Sequence, residues 1–129
     1  MKIAHLALWT RDIEKMKDFY ERYFEAESNE KYVNEKKGFE SYFLTFDGEA
    51  SLELMRRRDV VHESDGDALG YAHMAFGLKT RKDVDRMTET LKTDGWTHKD
   101  GPRLTGDGYY EAVFLDPEGN TIELVAEEA

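Results

Sequence analysis

The sequence predicts an α+β fold built from two β-α-β-β-β modules, and two observations support this prediction. The segment AHLAL at residues 4–8 returns as AHMAF at residues 72–76. Each copy is followed by an apolar-Glu-Leu segment, with Glu53 lying 48 positions after His5 and Glu123 lying 50 positions after His73. Internal repetition at a nearly constant offset indicates two copies of one supersecondary unit.

The first module begins with residues 2–9, which alternate or run apolar and predict a buried strand. Asp12 or Thr10 can cap a following helix, predicted over about residues 12–24 because its apolar side chains recur at helical spacing. Three further segments are short, bounded by turn residues and predict strands, the last two joined as a hairpin through Asp47-Gly48: residues 30–33, 39–46 and 50–55.

A polar stretch, Arg56–Gly70, contains the turn-forming sequence SDGD at residues 64–67 and predicts a linker. We place the modules at about 1–58 and 70–129, with the linker at 59–69, inside one domain of 129 residues.

The second module repeats the order of the first. Thr80 or Arg81 leads into a predicted helix over about residues 81–94, and Gly95 is positioned as its C-terminal glycine. The other predicted elements are strands, one loop and one turn: strands at 71–78, 96–99, 109–115 and 121–126, a loop at 101–108 and a turn at 116–120.

The composition excludes several classes of protein. A formal net charge of −10 argues against nonspecific binding to nucleic acid, which depends on basic patches. The absence of cysteine excludes disulfides, a thiol nucleophile and thiolate metal ligands. We find no apolar run long enough to span a membrane and no signal-peptide core, so the expected location is the cytoplasm.

The repeated His and Glu residues are expected on one face of their sheets. Because side chains alternate along a strand, His5 lies opposite Leu6 and Leu8, and Glu53 lies opposite its apolar neighbours. The same alternation holds for His73 and Glu123. The larger apolar groups can then pack on the helices and leave His and Glu on the other face.

A metal ion would explain why such carboxylates recur. Two buried carboxylates without a cation repel each other and lose hydration, and a divalent metal relieves both costs. Nitrogen and oxygen ligands without thiolate suit zinc, nickel, cobalt, manganese or iron(II). The repeat therefore predicts a metal site at His5, Glu53, His73 and Glu123.

The segment DPEGNTIEL at residues 116–124 resembles the D-P-[DE]-G-x-x-[IL]-E-[LIF] signature of the glyoxalase I, bleomycin-resistance and extradiol-dioxygenase superfamily, also called vicinal oxygen chelate. The resemblance covers essentially the whole chain. It implies mixed sheets curled into cups with the helices outside, metal ligands on the inner face of each cup, a small-molecule substrate and a homodimer.

Within that superfamily, the chain is most similar in ligand pattern to bacterial glyoxalase I, which uses His, Glu, His and Glu. This resemblance favours zinc or nickel, with cobalt, manganese or iron as further candidates. It implies isomerisation of a 2-oxoaldehyde hemithioacetal through an enediolate, as in lactoylglutathione lyase. The proton would be moved by Glu123, with Glu53 as the quasi-symmetric alternative.

Two alternatives remain open. Extradiol dioxygenases use two His and one Glu around iron(II) or manganese, so a catechol oxygenase is one alternative. The other is an antibiotic-binding protein of the bleomycin-resistance type, which sequesters a ligand without chemistry.

The chain departs from bacterial glyoxalase I where that enzyme binds glutathione. Trp9 stands in place of an Arg, and Arg57 in place of an Asn. The thiol and the substrate are therefore left open. Arg103 and the run Arg56, Arg57 and Arg58 are candidates for binding an anionic tail, and the candidate walls of the substrate site are Trp9, Tyr109 and Tyr110.

Overall fold

The computed structural model describes residues 1–128, which divide into two compact units. The first comprises residues 1–63, and the second begins at Ser64.

The first unit contains helix α1 and strands β1 to β5: β1 His5–Trp9, α1 Ile13–Phe24, β2 Glu27–Ser28, β3 Tyr32–Asn34, β4 Phe39–Thr45 and β5 Ser51–Arg57. Its sheet has the order β1-β5-β4-β2, and β3 also pairs with β4. β1 runs parallel to β5, while the other pairings are antiparallel. The sheet is therefore mixed, as the α+β prediction requires.

The second unit has the predicted β-α-β-β-β order: β6 Met74–Leu78, α2 Arg81–Thr93, β7 His98–Leu104, β8 Tyr110–Leu115 and β9 Thr121–Ala126. Its sheet has the order β6-β9-β8-β7, with β6 parallel to β9 and the other two pairings antiparallel. The α+β fold with two mixed sheets is confirmed.

The predicted loop at residues 101–108 was wrong in its first part, because β7 continues to Leu104. The pairing of β7 with β8 shifts register between Asp100 and Arg103. This shift accommodates an irregular segment while β7 remains paired with β8 on both sides of it. Gly101 has φ 77°, and a Cβ there would lie 2.4 Å from the carbonyl oxygen of Glu111. Only glycine fits so close an approach of the two backbones. In the sequence alone, the same glycine indicates a loop.

Other differences are small. β1 and β6 begin at His5 and Met74, later than predicted, and the two-residue β2 has no counterpart among the predicted strands. Both helices begin at predicted caps: the Asp12 carboxylate accepts from the Lys15 N–H, and Thr80 forms a capping box with Asp83.

The core of each unit lies between its helix and one face of its sheet. Apolar side chains that alternate along the central strands pack there against helical residues that are almost fully buried: Met16 and Tyr20 with Leu44, Leu52 and Leu54 in the first unit, and Val84 and Leu91 with Phe114, Ile122 and Leu124 in the second. The opposite face of each sheet is thereby left for polar groups.

A hydrogen bond ties α1 to β4 beside the first core. The Tyr42 hydroxyl donates to Glu14 at 2.6 Å. Burial and the adjacent Glu14 carboxylate raise the pKa of Tyr42 to about 12, whereas the same bond lowers the pKa of Glu14.

The turn that carries the DPEGN sequence is organised by the buried Asp116. Its Oδ1 accepts hydrogen bonds from the backbone N–H groups of Glu118 and Asn120, at 2.9 and 3.0 Å. Gly119 adopts φ 85°, which a residue with a Cβ seldom does. This turn sets the entry of β9 and hence the position of Glu123. Neither described helix has the length and hydropathy needed to cross a membrane.

Candidate metal centre

One His–Glu pair lies in the first unit, on the sheet face opposite α1. Glu53 is paired in register with Ala7 of β1 and Phe43 of β4, so these side chains share a face. The His5 Nε2 lies 3.7 Å from the Glu53 Oε1, and the His5 ring meets Phe43 edge to face at 5.4 Å. The small Ala7 leaves room beside the imidazole.

The second pair has the same arrangement in the second unit. Glu123 is paired with Ala75 of β6 and Val113 of β8. His73 directly precedes β6, and its Nε2 lies 2.5 Å from the Glu123 Oε1. The equivalence of Ala7 with Ala75 and of Phe43 with Val113 shows that the sequence repeat is also a repeat of strand register.

The two pairs offer the donors that a divalent cation takes. Both His side chains are nearly half exposed, at 46% and 44%, while Glu53 and Glu123 are 16% and 13% exposed. An accessible imidazole beside a shielded carboxylate suits borderline cations such as zinc or nickel. Within residues 1–128, no group of three or more His, Asp or Glu is gathered tightly enough to hold a metal ion. Each pair by itself offers one nitrogen and one carboxylate donor.

One difference between the surroundings of the two pairs is a further carboxylate, Glu111, beside the second pair. Glu111 is opposite Val125 in the second sheet, and the equivalent position of the first sheet, opposite Met55, is Ser41. Glu111 is only 13% exposed and faces Glu123. Burial, followed by the Glu123 charge, raises the pKa of the Glu111 carboxyl. Glu111 is a site residue that sequence reasoning missed; its only signal was its place two residues before Val113 on the same face.

Arg103 lies next to Glu111 and is held in place by Asp100. Arg103 is opposite Glu111 in the β7–β8 register, with an Nη2 to Oε1 distance of 3.6 Å. Its Nε donates to Asp100 Oδ2 at 2.7 Å, and this bond raises the pKa of Arg103 while lowering that of Asp100. Arg103, predicted to bind an anionic tail, thus already neutralises acidic groups beside Glu123.

We expect Glu111→Gln to raise the melting temperature of the metal-free protein at about pH 8. Because the fold raises the pKa of Glu111, its contribution to stability is fully present below the unfolded-state pKa and is lost as pH rises through the folded-state pKa. The gain should therefore shrink towards zero near pH 3.5, where both states carry a protonated Glu.

Thermal unfolding followed by circular dichroism between about pH 3.5 and 8 measures this effect. Glu30→Gln, at an exposed position outside the strands, is the control and should change little. A lower melting temperature for Glu111→Gln at pH 8 would mean that attraction to Arg103 outweighs burial and repulsion.

Trp9 and Arg57 lie on the same sheet face as the first His–Glu pair. Each is four residues beyond a pair member, Trp9 after His5 on β1 and Arg57 after Glu53 on β5. The Arg57 guanidinium lies over the Trp9 ring at 4.9 Å, and its Nε donates to Asp59 at 2.5 Å. The structure therefore brings both predicted substrate-binding residues of the first unit together.

The two predicted tyrosines are not brought to Glu123. Tyr110 alternates with Glu111 on β8, and its hydroxyl donates at 2.5 Å to Asp85 of α2, on the helix side of the sheet. Arg81 lies over its ring at 5.2 Å. Tyr109 is 54% exposed in the turn before β8, where its N–H donates to Thr105. Because Glu111 lies on the sheet face that carries Glu123, its neighbour Tyr110 must lie on the opposite face, towards α2.

Comparison with known proteins agrees with this architecture. Over 61 residues the chain is 38% identical to an uncharacterised protein, YqjT, of Bacillus subtilis (strain 168), a match that spans 45% of this chain and about half (48%) of that protein. The fold is similar to the trypanothione-dependent glyoxalase I of Leishmania major, with a TM-score of 0.79 and 21% identity over 98% of this chain and 87% of that one. It is also similar to the fosfomycin resistance protein FosX of Listeria monocytogenes, with a TM-score of 0.73 and 23% identity over 98% and 92%.

A family-wide sequence profile decides the assignment. The profile of the Glyoxalase/Bleomycin resistance protein/Dioxygenase superfamily matches residues 2–124, which include both His–Glu pairs and the DPEGN turn. The chain therefore belongs to the Glyoxalase/Bleomycin resistance protein/Dioxygenase superfamily.

Proposed function

We propose that this protein is a metal-dependent lyase or isomerase of the glyoxalase I type. Its substrate would be a small molecule with two adjacent oxygens, such as the hemithioacetal of a 2-oxoaldehyde. The observation that carries the proposal is the His–Glu pair repeated with the same strand register in both units. A homodimer is part of the proposal by analogy with the superfamily.

We assign His5 and Glu53 of the first unit, and His73 and Glu123 of the second, as metal ligands. A divalent cation bound by them would act as a Lewis acid towards the adjacent oxygens of the substrate. Glu123 takes the proton from the substrate carbon and returns it to the neighbouring carbon. Glu111 lies beside Glu123, and Arg103 is paired with Glu111 at 3.6 Å.

Metal content tests the proposal directly. Elemental mass spectrometry of the purified protein should find roughly one transition metal per set of four ligands, and the His5→Ala/Glu123→Ala variant should lose it. His62→Ala/Glu30→Ala, which removes a His and a Glu outside the pairs, is the matched control and should keep the metal. Zinc or nickel would direct assays to hemithioacetals, and iron to oxygenase substrates.

A wild-type protein that contains no metal, and takes up no added zinc, nickel or iron, would contradict the proposal. The second candidate function, ligand binding without chemistry, would then stand. One observation favours that alternative: the described residues hold no ready-made cluster of three metal-ligating carboxylates or imidazoles.

A further inference from the structure

Three aromatic side chains form a surface on the first unit, which we call the aromatic platform: Trp9, Tyr32 and Phe39. Phe39 meets Trp9 edge to face at 6.4 Å and lies 6.1 Å from the Tyr32 ring. Trp9 and Tyr32 are 43% and 54% exposed, although such rings are usually buried. The platform presents a contiguous apolar surface to solvent, and such surfaces commonly mark binding sites.

The platform shares a sheet face with His5 and Glu53. Phe39 is opposite Arg57, Trp9 is opposite Met55, and Tyr32 is opposite Ser41, all in register with the Glu53 face. Trp9 lies four positions after His5, which corresponds to about 13 Å along a strand. A ligand that contacts both groups is therefore elongated by about this length.

The fold itself does not require aromatic residues here. The second unit has the same register, and its equivalent of Trp9, opposite Val125, is Gly77. The residue equivalent to Arg57 is Glu127, whose carboxylate covers Gly77 so closely that a Cβ there would clash with it. One unit thus combines an aromatic ring with a cation, and the other combines a glycine with an anion. Structural duplication cannot account for this difference.

Arg57 sets the charge that the platform prefers. Its guanidinium carbon lies 4.9 Å from the centre of the Trp9 ring, a cation–π contact, while its Nε donates to Asp59, and the two contacts hold the group at the edge of the platform. The Arg57 side chain is 40% exposed, so a negatively charged ligand can approach it even though the whole chain carries a net charge of −10.

We propose that the aromatic platform is a binding subsite for a planar aromatic group that carries an anionic substituent, the far part of a substrate whose other end reaches the His5–Glu53 pair. The claim that one substrate spans the platform and the His5–Glu53 pair rests on the proposed function. The claim that the platform binds an aromatic group rests on the platform alone. It identifies the substrate class as aromatic anions with a distant vicinal-oxygen group.

Binding of naphthalene-2-carboxylate to metal-free protein in EDTA tests the subsite. Cyclohexanecarboxylate tests the need for an aromatic ring, and 2-naphthylmethylammonium tests the charge. Calorimetry should show that the naphthoate binds at least tenfold more tightly than either comparator. In ¹⁵N NMR spectra the Trp9 indole signal should shift while that of Trp96, assigned with Trp96→Phe, should not.

Variants place the binding on the platform. Trp9→Leu should weaken naphthoate binding at least tenfold, and Arg57→Gln should remove the preference for carboxylate over ammonium. Tyr71→Ala, which removes an aromatic side chain that is 92% exposed outside the platform, is the control and should bind normally. Circular dichroism verifies that each variant is folded.

Two results would overturn the proposal. One is naphthoate binding no tighter than that of cyclohexanecarboxylate, or unaffected by Trp9→Leu. The other is a change from dimer to monomer in Trp9→Leu by light scattering with naphthoate binding intact, which would make the platform an interface between copies of the chain. Because the titration is done without metal, a protein that binds no metal can still bind naphthalene-2-carboxylate at the platform. A protein that binds metal but does not bind naphthalene-2-carboxylate would disprove the aromatic subsite and leave the proposed metal-dependent function standing.

Discussion

Replacing Glu123 with Gln is expected to lower the turnover of hemithioacetal substrates by about 10²–10⁴-fold, the usual contribution of a positioned general base. The amide cannot accept the substrate proton, yet its oxygen can still bind a cation, so part of the metal should remain. Turnover is measured with a panel of 2-oxoaldehyde hemithioacetals, and bound metal is measured on the same samples.

Glu53→Gln is the informative comparison, because Glu53 is the quasi-symmetric alternative base. Glu123 is the first candidate by resemblance, and it differs from Glu53 in having Glu111 and Arg103 beside it. Glu30→Gln serves as the unrelated control. Unchanged turnover in Glu123→Gln, with the wild-type metal content, would refute the assignment of Glu123 as the base.

The second large effect concerns stability. We expect Phe114→Ala to reduce the free energy of unfolding by about 3–5 kcal/mol, as large core truncations do. Phe114 is fully buried, is opposite Ile122 in the sheet and stacks on the His98 ring at 4.8 Å. Removing its ring leaves a cavity between β8, β9 and α2 that these rigid elements fill only in part.

Urea denaturation followed by circular dichroism measures the loss. Tyr109→Ala, one residue before the same strand and largely exposed, is the matched control and should change stability by less than about 0.5 kcal/mol. A loss below about 1 kcal/mol for Phe114→Ala would mean that the core of the second unit closes over the cavity.

The two His–Glu pairs differ in their neighbours. Both units repeat the pair and the small Ala beside it. The first pair adjoins Phe43 and shares its sheet face with the aromatic platform, whereas the second adjoins Glu111 and Arg103.

Much of the fold could be predicted because its signals are local. The helices α1 and α2 lie within one residue of their predicted bounds, since caps at Asp12 and Thr80 and apolar spacing are read directly from the chain. β9 has its predicted bounds because its alternating apolar residues are also read directly from the chain. β7 was predicted too short, because Gly101 and Pro102 are loop signals that a register shift against β8 overrides.

The candidate site was predictable only in part. The four proposed ligands follow from the repeat, and their role as metal ligands stays a prediction. Tyr110 was predicted as a wall of the substrate site, yet its hydroxyl is committed to Asp85 of α2. Arg103 was predicted to meet an anionic substrate, yet it is paired with Asp100 and Glu111.

The sequence by itself determined the duplication, the order of the elements and the alternation that separates His and Glu from the core, because these depend on spacing along the chain. Only the tertiary structure decided which residues meet across strands: Glu111 with Glu123, and Trp9 with Phe39 and Arg57. The physical reason is that strand register is set by pairing between distant segments and by packing on the helices. One residue of slip would turn each of these side chains to the other face.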